Sequence, residues 1–142
     1  MTPAELSALH QAAFVHERGW SAAEFADLLQ NRFVTLHHRP HGFALSRTLA
    51  GESELLTLAV DPAFQGRGLG RQLLRDWIAS AAGNAETAFL EVASDNHAAL
   101  SLYASEGFDR CGLRRGYYAR SGAPFADAIL MRRQLTHGQQ PE

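Results

Sequence analysis

Apolar residues recur at helical spacing twice near the start of the chain, then give way to short runs of strand length. Leu6, Leu9, Ala13 and Phe14 share one helical face. Thr2 and Pro3 stand where an N-cap and a first helical residue belong. A second stripe, Phe25, Leu28 and Leu29, comes after Ser21, whose partner three residues on is Glu24, a capping box. Residues 33–37 and 43–48 read as strands around the turn Pro40-His41-Gly42. Leu49-Ala50-Gly51 then turns the chain into a third strand at 54–60. Leu69, Leu73, Leu74, Trp77, Ile78 and Ala81 mark a helix that runs to about Ala82 and stops at Gly83. Residues 88–93 form a strand. Ser94-Asp95-Asn96 supplies the cap of a helix that ends near Gly107. Residues 108–118 and 125–135 are the last strands, joined by a Gly/Pro loop at 120–124.

Two helices, a meander and then β-α-β-α-β-β describe an α+β fold, with helices layered on a mixed sheet. The unit around residues 54–93 is expected to be a right-handed parallel crossover. The length suits one domain over 1–136, with a polar, frayed tail at 137–142. The net charge is −2 and the arginines are interspersed with carboxylates, which argues against a polyanion-binding surface and hence against a direct nucleic-acid partner. Cys111 is the sole cysteine, so neither an internal disulfide nor a cysteine metal site is expected. His37-His38-Arg39-Pro40-His41 ends in a proline turn without carboxylate support, and no metal is expected there either. The first ten residues lack the apolar core of a signal peptide, and no stretch approaches a membrane span. A cytoplasmic monomer is the expectation.

The most informative stretch is Gln65-Gly66-Arg67-Gly68-Leu69-Gly70, between an apolar strand and a helix. The first N–H groups of a helix have no intrahelical partner, and the helix dipole adds partial positive charge. Such a turn therefore makes an anion site. Arg67 and Arg71 put full charges beside it. A P-loop is excluded because the chain has no lysine: all 13 basic residues are arginine. A dinucleotide fingerprint is excluded because the sixth position from Gly66 is Arg71 and from Gly68 is Leu73. What remains is Q-x-x-G-x-G after a strand. The competing reading is a helix start whose glycines only make a turn.

Further along, Glu91 interrupts the apolar strand Phe89-Leu90-Glu91-Val92. A lone carboxylate in such a strand is costly to ionise, a setting that suits a general base. An edge-strand glutamate facing water is the alternative. Asn96 and Tyr103, seven apart, share a helix face. Taken singly, Asn96 reads as an N-cap and Tyr103 as core. Tyr117-Tyr118 fits either strand packing or a substrate loop.

Together these pieces resemble the RimI branch of the GNAT N-acetyltransferases. The resemblance rests on residues 58–62, the loop and helix start from Gln65 to Leu74, Phe89-Leu90-Glu91-Val92, Asn96, Ala98-Ala99-Leu100, Leu102-Tyr103 and Glu106-Gly107-Phe108. Arg114-Arg115-Gly116-Tyr117-Tyr118 and Asp127-Ala128-Ile129-Leu130-Met131 extend it, and residues 20–25 match more weakly. It implies the GNAT fold, a mixed and mostly antiparallel sheet flanked by helices. It also implies acetyl-CoA as cosubstrate and a protein N-terminus, on a ribosomal protein, as acceptor. Glu91 would be the proton acceptor and Tyr103 the proton donor. Leu58, Ala59 and Val60 would pair with the pantetheine arm and acetyl group, with N–H groups near Ala59 and Val60 meeting the oxyanion. Gly66, Arg67, Gly68, Leu69, Gly70 and Arg71 would bind the pyrophosphate, and Asn96 would reach the cofactor. The family begins with a strand where this chain begins in a helix, so the sheet is expected to lack its first strand. A small-molecule amine or a lysine as acceptor, or a CoA-binding module without turnover, are the alternatives.

Overall fold

The computed structural model describes residues 1–14, 18–120 and 123–135. The expected tail at 137–142 and the centre of the 120–124 loop lie outside the described residues. Both amino-terminal helices begin as their capping residues dictate. α1 (Pro3–Ala13) is capped by Thr2 and α2 (Ala22–Gln30) by Ser21. Each closes a reciprocal capping box with the glutamate three residues on, Glu5 or Glu24.

The strands are β1 (Val34–Arg39), β2 (Gly42–Leu49), β3 (Glu52–Val60), β4 (Thr87–Ala93), β5 (Asp109–Arg120) and β6 (Ala123–Gln134). They form one sheet in the order β1-β2-β3-β4-β6-β5. Every neighbouring pair is antiparallel except β3–β4, which α3 (Leu69–Ala82) connects in parallel. α4 (His97–Ser105) joins β4 to β5. Among the described residues no strand precedes α1.

Two apolar layers sandwich the sheet. On one face Leu73, Leu74 and Trp77 of α3 are fully buried, and the Trp77 indole N–H donates to Ser53 Oγ at 2.8 Å. On the other, Leu6 and Phe25 pack on Phe43 and Leu45. His10 sits at the rim of this second layer, 4% exposed and stacked on Trp20. The Trp20 backbone N–H can only donate, so Nδ1 of His10 accepts it at 3.1 Å. Nε2 then carries the proton and faces Thr57 Oγ1 at 3.1 Å. His10 thus ties the α1–α2 connection to β3 as a neutral ring.

Burial pushes the imidazole of His10 down to about 4. The charged form is disfavoured in the folded state, so this contribution is fully present above the ordinary histidine value. It is lost as pH falls from about 6.5 toward 4. Urea unfolding should show stability falling by about 2–3 kcal/mol from this group between pH 7 and 4.5. The slope should shrink in His10→Phe. It should not vanish, because burial also lowers His37. An equal slope in both proteins would contradict the assignment.

The sheet is interrupted where the site forms. β3 and β4 pair only from Glu52↔Thr87 to Leu55↔Leu90. Beyond that point β3 continues against β2, and β4 continues against β6 through Glu91↔Leu130, Val92↔Ile129 and Ala93↔Ala128. The separation coincides with a bulge. Leu45 pairs with Thr57 and Ser46 with Leu55, so Leu56 has no partner across the ladder. A bulge bends its strand and re-aims the residues beyond it. The two strands diverge into a wedge, open at the carboxyl ends of a parallel pair.

Candidate active site

Residues 56–60 of β3 have a strand neighbour on one side only, and backbone alternation decides what faces the wedge. Asp61 N–H donates to His41 O at 2.9 Å, on the β2 side. By the two-residue period, the N–H groups of Ala59 and Thr57 also point to β2, and those of Leu58 and Val60 point into the wedge. The Val60 carbonyl confirms the direction, since it accepts the side-chain amide of Gln65 at 3.1 Å.

Leu58 and Val60 do line a cleft of about 840 Å³, together with Gln65, Gly66, Gly68, Leu69, Gly70 and Arg71. Ala59 does not line it. Its side chain is 1% exposed and packs in the opposite layer, and its N–H is turned to β2. Of the two N–H groups expected near an oxyanion, that of Ala59 is thus turned away from the cleft and that of Val60 faces it.

At the mouth of the wedge a 3-10 turn (Pro62–Phe64) leads into the glycine loop. Gly68 is the N-cap of α3 at φ +83, with no side-chain cap, so Leu69, Gly70 and Arg71 enter the helix with free N–H groups. Gly66 has φ +77. A Cβ at Gly66 or Gly68 would meet no protein atom within 4 Å, so the loop backbone is bare toward the cleft. These are the demands of close approach to a phosphate.

The two arginines sit differently from each other. Arg67 is exposed, over the Phe64 ring at 5.2 Å and outside the cleft lining. Arg71 lines the cleft, but its guanidinium is already paired with Glu106 and Ser105, and Arg75 joins Glu106 at 3.0 Å. The loop's attraction for an anion thus falls mainly on backbone N–H groups and the helix dipole.

Gly68→Val tests the loop. A β-branched residue at positive φ costs about 1–3 kcal/mol, and its side chain would fill the bare face. The Kd for acetyl-CoA should rise at least tenfold (a loss of about 1.4 kcal/mol in binding) in a protein that still folds by circular dichroism. Gly68→Asn, which tolerates positive φ, should lose less. Unchanged affinity in a folded Gly68→Val protein would remove the loop from cofactor binding.

Glu91, Asn96 and Tyr103 all line the same cleft. Glu91 is not the lone carboxylate the strand pattern suggests. Its side chain is 19% exposed, and Nε of Arg114 lies 2.8 Å from Oε2. Asn96 acts as the N-cap of α4, accepting Ala99 N–H at 3.2 Å, so its contribution to the cleft is the remaining amide group. Tyr103 is 8% exposed and packs against Phe108. Burial alone pushes its phenol up to about 12, so it carries its proton at neutral pH. Tyr117 and Tyr118 line the cleft from strand β5.

Three features of the site escape sequence reasoning. Gln65 is only a motif letter in the sequence, yet it clamps the loop to the end of β3. Arg114 shows no partner there, and the Leu56 bulge has no signature in residue type. No group of three or more candidate metal ligands occurs among the described residues.

Comparison with known proteins agrees with this geometry. The family model described as the acetyltransferase (GNAT) family matches residues 5–108. The N-alpha-acetyltransferase RimI of Mycobacterium tuberculosis is 55% identical over 89 residues, 63% of this chain, which spans about half (53%) of that protein's length. The [ribosomal protein bS18]-alanine N-acetyltransferase of Escherichia coli is 35% identical over 130 residues, covering 88% of this chain and 87% of that protein. The crystal structure of the ribosomal-protein-S18-alanine N-acetyltransferase from Escherichia coli superposes with a TM-score of 0.82 at 33% identity, covering 94% of this chain and 86% of that one. No helix among the described residues is long and apolar enough to cross a membrane. With the family model matching most of its length, a wedge between parallel strands and a glycine turn at a helix start, the chain belongs to the acetyltransferase (GNAT) family.

Proposed function

We propose that the chain transfers an acetyl group from acetyl-CoA to the N-terminal amine of a protein, a small-subunit ribosomal protein with alanine first. The observation that carries this reading is one cleft in which a single-sided strand, a bare glycine loop, a carboxylate and a buried phenol converge. The groups present suit acetyl-CoA. The loop offers N–H groups to a pyrophosphate. Leu58 and Val60 offer strand-edge backbone to an amide-bearing arm, which can add beside β3 as a further strand would. When bound, acetyl-CoA supplies a thioester carbonyl as the electrophile.

In this reading Glu91, directly or through water, takes a proton from the acceptor ammonium and leaves a nucleophilic amine. The Val60 N–H donates to the carbonyl oxygen as negative charge gathers on it. Tyr103 supplies a proton to the departing sulfur. Transfer is direct, without a covalent enzyme intermediate, and Cys111 is exposed on β5 away from these groups.

The bS18-alanine name of the Escherichia coli relative supports a ribosomal acceptor. The test is acetylation of peptides with free N-termini, alanine first among them, against lysine peptides with blocked N-termini. Transfer confined to the free N-termini supports the reading. Transfer to lysine ε-amines would replace it, and CoA release with neither would leave a binding module.

A further inference from the structure

Arg114 stands at the entrance to a bulge. β5 and β6 are in register at Gly112↔Leu130, Leu113↔Ile129 and Arg114↔Ala128, and pairing resumes at Tyr118↔Ala126. Residues 115–117 therefore face a single residue, Asp127. Gly116 turns there at φ +61, and its N–H donates to Asp127 Oδ1 at 2.7 Å. The bulge brings Arg114 to Glu91 and Tyr117 to the cleft.

The Glu91–Arg114 contact is incomplete in a specific way. Nε lies 2.8 Å from Oε2, which balances the charge. Yet its N–H is not aimed at that oxygen, and Oε2 is buried with no hydrogen bond from the described residues. The two partners also differ in their alternatives. The guanidinium is 53% exposed and lies 4.9 Å over the Tyr117 ring, so water and an aromatic face can both receive it. The carboxylate is mostly buried and has neither. A charged acceptor that lacks a donor is costly to leave so, and a better donor cation will exchange with the guanidinium.

We propose that Arg114 is a resident counter-ion of Glu91 that the acceptor's ammonium group displaces, so that it sets the affinity for cationic acceptor ends. The proposal rests on Glu91 being the group that meets the acceptor amine. An ammonium that Glu91 deprotonates directly comes within hydrogen-bond distance of it. At Oε2 it would meet the guanidinium, and two cations on one oxygen repel. Binding therefore moves Arg114 toward Tyr117. Arg114 is a positioning residue here and takes no proton itself.

The experiment measures calorimetric binding of two octapeptides to the CoA-bound full chain. One begins with a free alanine, and the other is the same sequence with that amine acetylated. A half-exposed ion pair is a weak competitor, so Arg114→Gln should tighten the free-amine peptide by about three- to tenfold. The blocked peptide should be unchanged. In steady state the gain should appear as a lower KM with kcat changed less. Arg114→Lys, which keeps the cation, should restore wild-type affinity. In a Glu91→Gln background, Arg114→Gln should have no ammonium-specific effect.

Equal weakening of both peptides would mean that Arg114 only holds the bulge, and no change in either would mean that nothing is displaced; both results overturn the proposal. The kcat of Glu91→Gln alone judges the base. A normal kcat there with the ammonium-specific gain intact would refute the mechanism and leave the counter-ion exchange standing.

Discussion

Glu91→Gln is expected to lower kcat for acetyl transfer by about 10²–10⁴-fold, the usual range for losing general acid–base help. The affinity for acetyl-CoA should stay within about threefold, since Glu91 lies on β4, across the wedge from the Leu58 and Val60 backbone and away from the glycine loop. Gln is nearly isosteric, but it cannot accept a proton from an ammonium. It also leaves Arg114 without its anion. That guanidinium is half exposed and has Tyr117 beside it, so folding should change little. The measurement is steady-state kinetics with a free-alanine peptide, alongside calorimetry of acetyl-CoA binding. Raising pH supplies more free amine and should recover part of the lost rate, because deprotonation then no longer needs the enzyme. A variant with wild-type kcat at neutral pH would assign the base to another group.

How much of this site the sequence displays depends on how local each determinant is. Thr2, Ser21 and Asn96 cap helices through bonds that span three residues, so their roles are visible in residue type alone. The glycine loop is legible for the same reason: positive φ at Gly66 and Gly68 and a helix start belong to one short segment. The wedge is not. It arises where β3 pairs with β2 but parts from β4, and the Leu56 bulge that accompanies it is an offset between ladders rather than a residue preference. This non-local geometry is what turns the Ala59 N–H away from the cleft, since a run of three strand residues looks equivalent until the ladder fixes which N–H groups face outward. Arg114 and Glu91 are 23 residues apart in sequence, and only the β4-β6-β5 order brings them to 2.8 Å. The pairing of Arg71 with Glu106 is hidden in the sequence for the same reason, since Glu106 lies beyond α3 at the end of α4.

Tyr103→Phe is expected to slow acetyl transfer by about 10–100-fold, the lower part of the general-acid range, while leaving the melting temperature nearly unchanged. The expectation of unchanged stability comes from the surroundings of the hydroxyl. Burial is the one cause acting on the phenol, with no hydrogen-bond partner among the described residues, so removing the oxygen orphans no buried group. The ring contact with Phe108 survives in Phe. The expectation of a smaller effect than at Glu91 comes from proton affinity. A phenol held at about 12 is a reluctant donor to sulfur, whose thiol titrates near 8.5 in water. The same dry surroundings raise the proton affinity of a thiolate leaving beside it, which narrows the gap without closing it. Tyr103 therefore assists a leaving group that departs fairly readily unaided, whereas Glu91 makes a nucleophile out of a cation that cannot attack at all. Melting curves and single-turnover rates on the one variant separate catalysis from packing. If Tyr103 is only part of the core, Phe keeps its packing and each folded molecule turns over normally, and that result would remove it from the mechanism.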